Sequence, residues 1–378
     1  MAAHSDRPAL ATLTGSSPAV RPREGTVTGH LFKVIRERIP RTQQELAEAL
    51  SVDKATIQGW ESGRRPLTAT QAGKLRTVSR TLLRLGASSH MLALLNEAMD
   101  ADTVIAHALA GPPAQDIASH PLANWVFTRS TTHMLAWALT GTPPEALPSA
   151  ELPRRRGPSP ASPLLPHTEL RAFYDHMRRA AELGDHAGES GALLRRQALY
   201  VCSYDDAADT RDWLADMRRR SRPPRAGQWT PHWADTRSVA ASLTRHGDPD
   251  PLHAFIRQGM GDETGEIANL NYWANWLGVD LTTHANDTFM VEQSHTAWDG
   301  LALLRRLTDR LAPNLACIDL NAHTVWSLLA ARRGLLAADP NLNRVLDERV
   351  TTLLDSSTIS AQTRRELEEV HYGLTLHT

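Results

Sequence analysis

The chain has 378 residues, of which 41% are hydrophobic and 22% charged, and its formal net charge is −1 at pH 7. That is an ordinary globular composition, long enough for two or three domains, and no window approaches the roughly 18 uninterrupted apolar residues of a membrane span. No apolar run follows a basic start, which speaks against secretion, and two isolated cysteines, Cys202 and Cys317, fit free thiols in a reducing cytoplasm.

In chain order, residues 1–27 are rich in Ala, Pro, Ser and Thr without periodicity and read as a disordered leader. Residues 28–86 read as a compact basic module. They hold eleven Lys and Arg against five acids, which leaves thirty basic residues against thirty-seven acidic ones elsewhere. All three lysines, Lys33, Lys54 and Lys74, fall in this module. A basic module on an acidic body points to an anionic partner for the module alone.

Within the module, LFKVIRERI puts Leu31, Val34, Ile35 and Ile39 on one helical face. Thr42-Gln-Gln-Glu45 has the form of a capping box and opens a second helix with Leu46, Ala47 and Leu50 inward. Asp53 suits the N-cap of a third helix, and Val52 with Ile57 has the spacing of a hydrophobic staple. Ile57 and Trp60 point inward, while Lys54, Ala55, Gln58, Gly59 and Ser62 are expected to share the opposite, exposed face. Gly59 is out of place on local grounds, because a mid-helix Gly costs about 1 kcal/mol relative to Ala. Gly63 suits the position after the helix, and Thr68-Ala-Thr-Gln71 reads as a second capping box before a fourth helix carrying Leu75, Val78 and Leu82. Two short helices with a tight turn, the second presenting a polar face, form the helix-turn-helix arrangement whose second helix fits the major groove.

The text from Leu31 to Leu85 resembles the XRE (phage Cro/repressor-type) DNA-binding domain through IRER, TQQELAEAL, WESGRR and Pro66. That resemblance implies a five-helix module in which Lys54, Ala55, Gln58 and Gly59 face the bases. It assigns Gln43, Thr56, Arg64 and Arg65 to DNA phosphates, with Gln43 also bracing the recognition helix. It further implies a structural ion pair between Arg36 and Glu61. Lys can donate to guanine and Gln can pair with adenine, whereas phosphate contacts give affinity without sequence information.

Beyond the module, helical patterning continues through connecting helices at 87–140, SHMLALLNEAMDADTVIAHALAG and PLANWVFTRSTTHMLAWALTG. Residues 141–167 hold eight prolines and the run Arg154 to Arg156, and read as a linker or loop. From 168 to 378 every segment carries an apolar stripe at three-to-four spacing and none alternates strictly, so the expected fold class is all-α. The larger C-terminal domain is expected to be layered or solenoid-like, without a fixed repeat period. ANLNYWANWLG and WALTGTPP resemble C-terminal parts of large actinobacterial XRE regulators.

No stretch qualifies as a catalytic or cofactor motif. GESGA (188–192) lacks the last Gly of a nucleophile elbow, GMGDETG (259–265) spaces its glycines wrongly for a dinucleotide loop, and neither follows a strand. The seventeen histidines show no metal-ligand spacing, so no metal or cofactor is expected. In NLNYWANWLG, Asn271, Tyr272, Trp273, Asn275 and Trp276 mix aromatic walls with amides and make the best candidate pocket, although core or interface packing is the favoured explanation for them.

The sequence therefore points to a cytoplasmic, non-enzymatic transcription regulator that binds double-stranded operator DNA. It is expected to form a homodimer, with the C-terminal domain dimerising or sensing a small-molecule or protein effector. The alternative is an α-helical interaction scaffold, as in an antitoxin or defence component, for which DNA binding is only a tether or autoregulation.

Overall fold

A computed structural model describes residues 24–111, 116–147, 161–221 and 229–376, and these contain eighteen α-helices and no strand. The N-terminal part comprises α1 (Thr26–Arg38), α2 (Gln43–Leu50), α3 (Lys54–Glu61), α4 (Ala72–Arg84) and α5 (Ser89–Leu109). After α6 (Arg129–Thr140), the body begins with α7 (His167–His186), α8 (Ala192–Cys202), α9 (Thr210–Arg220), α10 (Pro231–Arg245), α11 (Asp250–Gly259) and α12 (Glu263–Trp276). It ends with α13 (Phe289–Glu292), α14 (Gly300–Thr308), α15 (Ile318–Ala331), α16 (Leu335–Ala338), α17 (Pro340–Leu354) and α18 (Ala361–Thr375).

Most helices lie where the apolar periodicity places them, because a stripe at three-to-four spacing can be buried only against a neighbouring helix. Four local expectations change. Helix α1 starts at Thr26, two residues inside the expected leader. The Thr68–Gln71 capping box does not form: Leu67–Ala69 is a 3-10 turn, and α4 starts at Ala72 without a side-chain cap. PLANWVFTRSTTHMLAWALTG is helical only in its second half, after a 3-10 turn at Pro121–Ala123. The short α13 lies in a stretch with no clear stripe. Arg154 to Arg156 lie outside the described residues.

Neighbours in sequence are mostly neighbours in space: α7 packs on α8, α8 on α10, α10 on α9 and α11, α12 on α13, and α17 on α18. The buried apolar cluster runs without a gap from Val27 in α1 to Leu374 in α18. Helix α5 carries it across from the module to the body, since it packs on α1, α6 and α7. Its Asp102 is buried and closes the start of α1, accepting from the Val27 and Thr28 amides (both 2.9 Å) and the Thr28 hydroxyl (2.6 Å). A helix start leaves amide donors without intrahelical partners, and here a carboxylate from another helix supplies the acceptor. Burial pushes the Asp102 carboxyl up to about 6, and the Thr28 and Val27 donors pull it the other way.

Helix α8 is buried on nearly all sides, so its polar side chains must find partners inside. Arg196 makes two bonds to Asp287 (2.9 and 2.7 Å), and Arg195 pairs with Asp235. The Gln197 amide donates to the Leu122 and Trp125 carbonyls and accepts from the Phe127 amide, which fixes the segment ahead of α6 against the body.

Candidate nucleic-acid interface

The interface is built from two caps and one brace. Thr42 accepts from the Glu45 amide (3.2 Å) and the Glu45 carboxylate accepts from the Thr42 amide (2.7 Å), so the capping box opens α2 as its sequence implies. Asp53 caps α3 by accepting from the Thr56 amide, and the Thr56 bonds hold its carboxyl below the usual range. Gly63, at φ +70°, lets the chain turn out of α3. Helix α3 is pressed on the module core by Ile57 and Trp60, the latter edge-on to Phe32 with ring centroids 5.7 Å apart. Gly29 in α1 permits the close crossing, since a Cβ there would stand 2.3 Å from the Trp60 carbonyl oxygen.

The brace is a chain of polar contacts along one side of α3. Arg36 in α1 pairs with Glu61 through Nε and again through Nη2 (3.3 Å), and its Nη1 donates to the Arg41 carbonyl (2.8 Å). Gln43, first in α2, donates from Nε2 to Glu61 Oε2 (2.6 Å) and accepts from Gln58 Nε2 at 3.3 Å. The side chains of Arg36 and Glu61 are 10% and 5% exposed, so the pair is largely shielded from water. Thus α1, α2 and both turns of α3 share one network.

Along α3, Lys54, Ala55, Gln58 and Ser62 are exposed, and Gln58 is also the outer end of that brace. Arg64 and Arg65 follow the helix, both exposed, and Arg65 Nη1 donates to the Thr56 hydroxyl at 2.9 Å. Gly59 departs from the expected position: it is buried, not exposed. The stem of Arg65 lies over it, and a Cβ at Gly59 would meet Arg65 Cδ and Cγ at 3.0 and 3.1 Å. The Arg65 amide also donates to the Gly59 carbonyl (3.0 Å), so the chain after α3 folds back onto the glycine. Helical phase puts Gly59 at the edge of the polar face, and it cannot show that a later residue covers that edge.

Residues 33–78 match the Helix-turn-helix family model. The module is an XRE-type helix-turn-helix. The match ends well before the body, and no curated protein and no solved structure matches the chain. The XRE-type domain supports DNA binding, and no helix among the described residues is long and apolar enough to cross a membrane.

The other candidates resolve as packing. In the stretch 271–276, Asn271 spends its amide on the Met290 and Gln293 carbonyls (2.9 and 2.8 Å) and accepts from the Trp298 indole (2.8 Å). Tyr272 stacks on Trp276 and lies under the Arg237 guanidinium at 3.7 Å. Asn271, Tyr272, Trp273 and Asn275 are buried and line none of the major cavities, so the expected pocket there is corrected to core; Trp276 alone borders a cavity. Ser190 of GESGA donates to the Ala187 carbonyl. Asp262 of GMGDETG caps α12, where a Cβ at Gly265 would strike the Gly259 carbonyl oxygen at 2.1 Å.

The histidines are less scattered in space than in sequence. His107, His120 and His176 bring ring nitrogens within 4.8 Å of one another, a grouping no local spacing announces. Their protein partners fix the tautomers: His176 Nδ1 donates to the Gly111 carbonyl (2.7 Å), and His120 Nδ1 accepts from the Leu122 amide (3.1 Å). The His120 proton is then on Nε2, 3.3 Å from the free lone pair of His176 Nε2, which completes a hydrogen bond. A metal on His120 Nε2 would have to displace that proton and break the Leu122 bond, so His120 and His176 are satisfied by the protein itself, with His107 edge-on to both rings. Burial lowers all three basicities, His120 to about 3.

Proposed function

We propose that this chain is a sequence-specific transcription regulator that acts by binding rather than by catalysis. The observation that carries this reading is the disposition of α3. Lys54, Ala55 and Gln58 stand exposed on one face, while Gln43, Glu61 and Arg36 hold the helix along the flank of that face and fix Gln58 with it. A recognition helix must be rigid before contact, because every loosely held side chain adds an ordering cost on binding. Lys54 and Gln58 supply the donors and acceptor for base edges, and Arg64, Arg65, Thr56 and Gln43 surround them with groups for phosphates.

In this reading the body serves dimerisation or signal sensing, and the continuous core through α5 supports a mechanical link between the two parts. Two modules in a symmetric dimer would contact half-sites about one helical turn, roughly 34 Å, apart. The protein would work in the cytoplasm on chromosomal DNA. Chromatin mapping of the intact protein tests this directly: bound sites sharing a palindromic motif support the proposal, and sites without any common motif overturn it.

A further inference from the structure

Helix α12 has two functional faces. While Asn271 and Asn275 turn into the core, Glu263, Glu266, Ile267 and Leu270 form an i, i+3, i+4, i+7 stripe along a cavity of about 710 Å³. Helix α15 faces it with the same spacing, through His323, Trp326, Ser327 and Ala330, and α11 and α18 close the sides. The volume is that of a site for an organic molecule of drug size. Ile256, Met260, Ile267, Leu270 and Trp326 make most of the wall apolar.

One polar cluster interrupts that wall. The imidazole of His323, 3% exposed, donates from Nδ1 to Glu366 Oε1 (2.9 Å) and from Nε2 to Glu266 Oε1 (3.0 Å). Both ring nitrogens face carboxylates, so the ring is held as the cation. Burial opposes that charge, but the bonds to Glu266 and Glu366 outweigh it and push His323 up to about 9. Two carboxylates against one imidazolium leave the cluster negative. The second oxygens of Glu266 and Glu366 are buried without any hydrogen-bond partner, and Glu366 as a residue is 8% exposed. Asp262 and Glu263 add negative charge at the rim, against Arg257 alone. A buried carboxylate oxygen without a donor is costly, and in an apolar setting it selects strongly for a positive partner.

We infer that this cavity binds a small organic cation, an apolar or aromatic body carrying a protonated amine, with the ammonium at Glu266 and Glu366 and the body against Trp326 and Leu270. Both free oxygens are sealed in the empty cavity, so the Glu266 side chain, 21% exposed, would turn its free oxygen towards the ammonium and gain the donor it lacks. The indole of Trp326, held by its Nε1 bond to Glu369 (2.7 Å), offers a ring face that attracts a cation. This inference gives the sensing role proposed above a ligand class, and it rests on that role only for its consequence at DNA.

Calorimetric titration of the full chain at pH 7, without DNA, with 1-naphthylmethylamine, 1-naphthylmethanol and 1-naphthoate separates charge from bulk. The amine should bind about tenfold or more tighter than the alcohol, the effect of one charge-assisted hydrogen bond, and the carboxylate should not bind. Glu266→Gln should remove the preference of amine over alcohol, and Ile267→Trp, which fills the cavity from its half-buried wall, should abolish binding of both. Equal binding of amine and alcohol, tighter binding of the carboxylate, no binding by any of the three, or amine binding that survives Ile267→Trp would each overturn the inference. Should Glu266→Gln fail to fold, the charge series on the unaltered chain and Ile267→Trp still decide. A gel shift with the amine present reads the sensing role separately: tight amine binding with unchanged DNA affinity refutes the sensing role and leaves the site standing.

Discussion

The aliphatic stem of Arg65 lies on the bare Cα of Gly59, and this contact sets the Arg65 guanidinium against the hydroxyl of Thr56. The glycine that looks like a defect in α3 is therefore a seat for Arg65, which is proposed above to contact phosphate. Gly59→Ala should gain about 1 kcal/mol of helix propensity and lose part of that by pushing Arg65 outward. Operator and non-operator DNA should both bind more weakly in gel shifts, since the displaced group is directed at phosphate. A stabilised protein with unchanged affinity for both would refute the seat.

The pair Arg36–Glu61 carries the brace, with Gln43 and Gln58 extending it. Glu61→Gln removes the nearer counter-charge of a largely buried guanidinium and leaves Glu37 at 3.7 Å, a change that costs about 1–3 kcal/mol. Because the chain is large, a local measurement is the fair one. Hydrogen exchange should quicken across α1 to α3 and stay unchanged in α15 and α18. Equal quickening everywhere would show that the pair holds the whole fold instead.

Asp102 performs for α1 what Thr42 and Asp53 perform for α2 and α3, although it comes from α5. Asp102→Ala leaves two buried backbone amides unpaired, at a cost of about 1–3 kcal/mol each. Exchange of the first α1 amides should accelerate and DNA affinity should fall, because α1 positions α3. Unchanged exchange at Val27 and Thr28 would contradict the capping role.

Stability should fall as pH rises from 6.5 towards 9. His323 is raised to about 9, so its contribution is complete below pH 6.5 and is lost as pH rises towards 9. On the acid side the effects oppose one another: His120 and His133, lowered by burial to about 3 and 4, favour the unfolded chain below pH 6.5, while Asp100 and Asp102, raised by burial to about 6, favour the fold as pH falls from 6 to 4. Each group contributes a slope of about 1.4 kcal/mol per pH unit inside its window. Melting temperature should fall between pH 6.5 and 9, and His323→Gln should flatten that fall. An alkaline limb that survives this change would count against the buried imidazolium.

The sequence made local chemistry legible and left assembly hidden. Thr42–Glu45, Asp53 and Gly63 act within a few residues, so their roles follow from type and spacing. Arg36 and Glu61 lie twenty-five positions apart and were paired only through the family resemblance. Thr68–Gln71 has the letters of a capping box, yet the chain leaves Pro66 in a 3-10 turn and the box never closes. Asn271 and Glu266 sit on one helix with opposite fates, because the elements that cover one face and leave the other open come from α13, α15 and α18. The same holds for His107, His120 and His176, which three separate segments bring together.

The central claim is that the exposed face of α3 reads base edges. Selection from a random duplex library with the unaltered protein and with Gln58→Ala tests it most directly. The unaltered protein should enrich one motif, and Gln58→Ala the same motif with one position relaxed, a loss of about 1–3 kcal/mol of discrimination there. An identical motif from both proteins, or no enriched motif from the unaltered one, would contradict it.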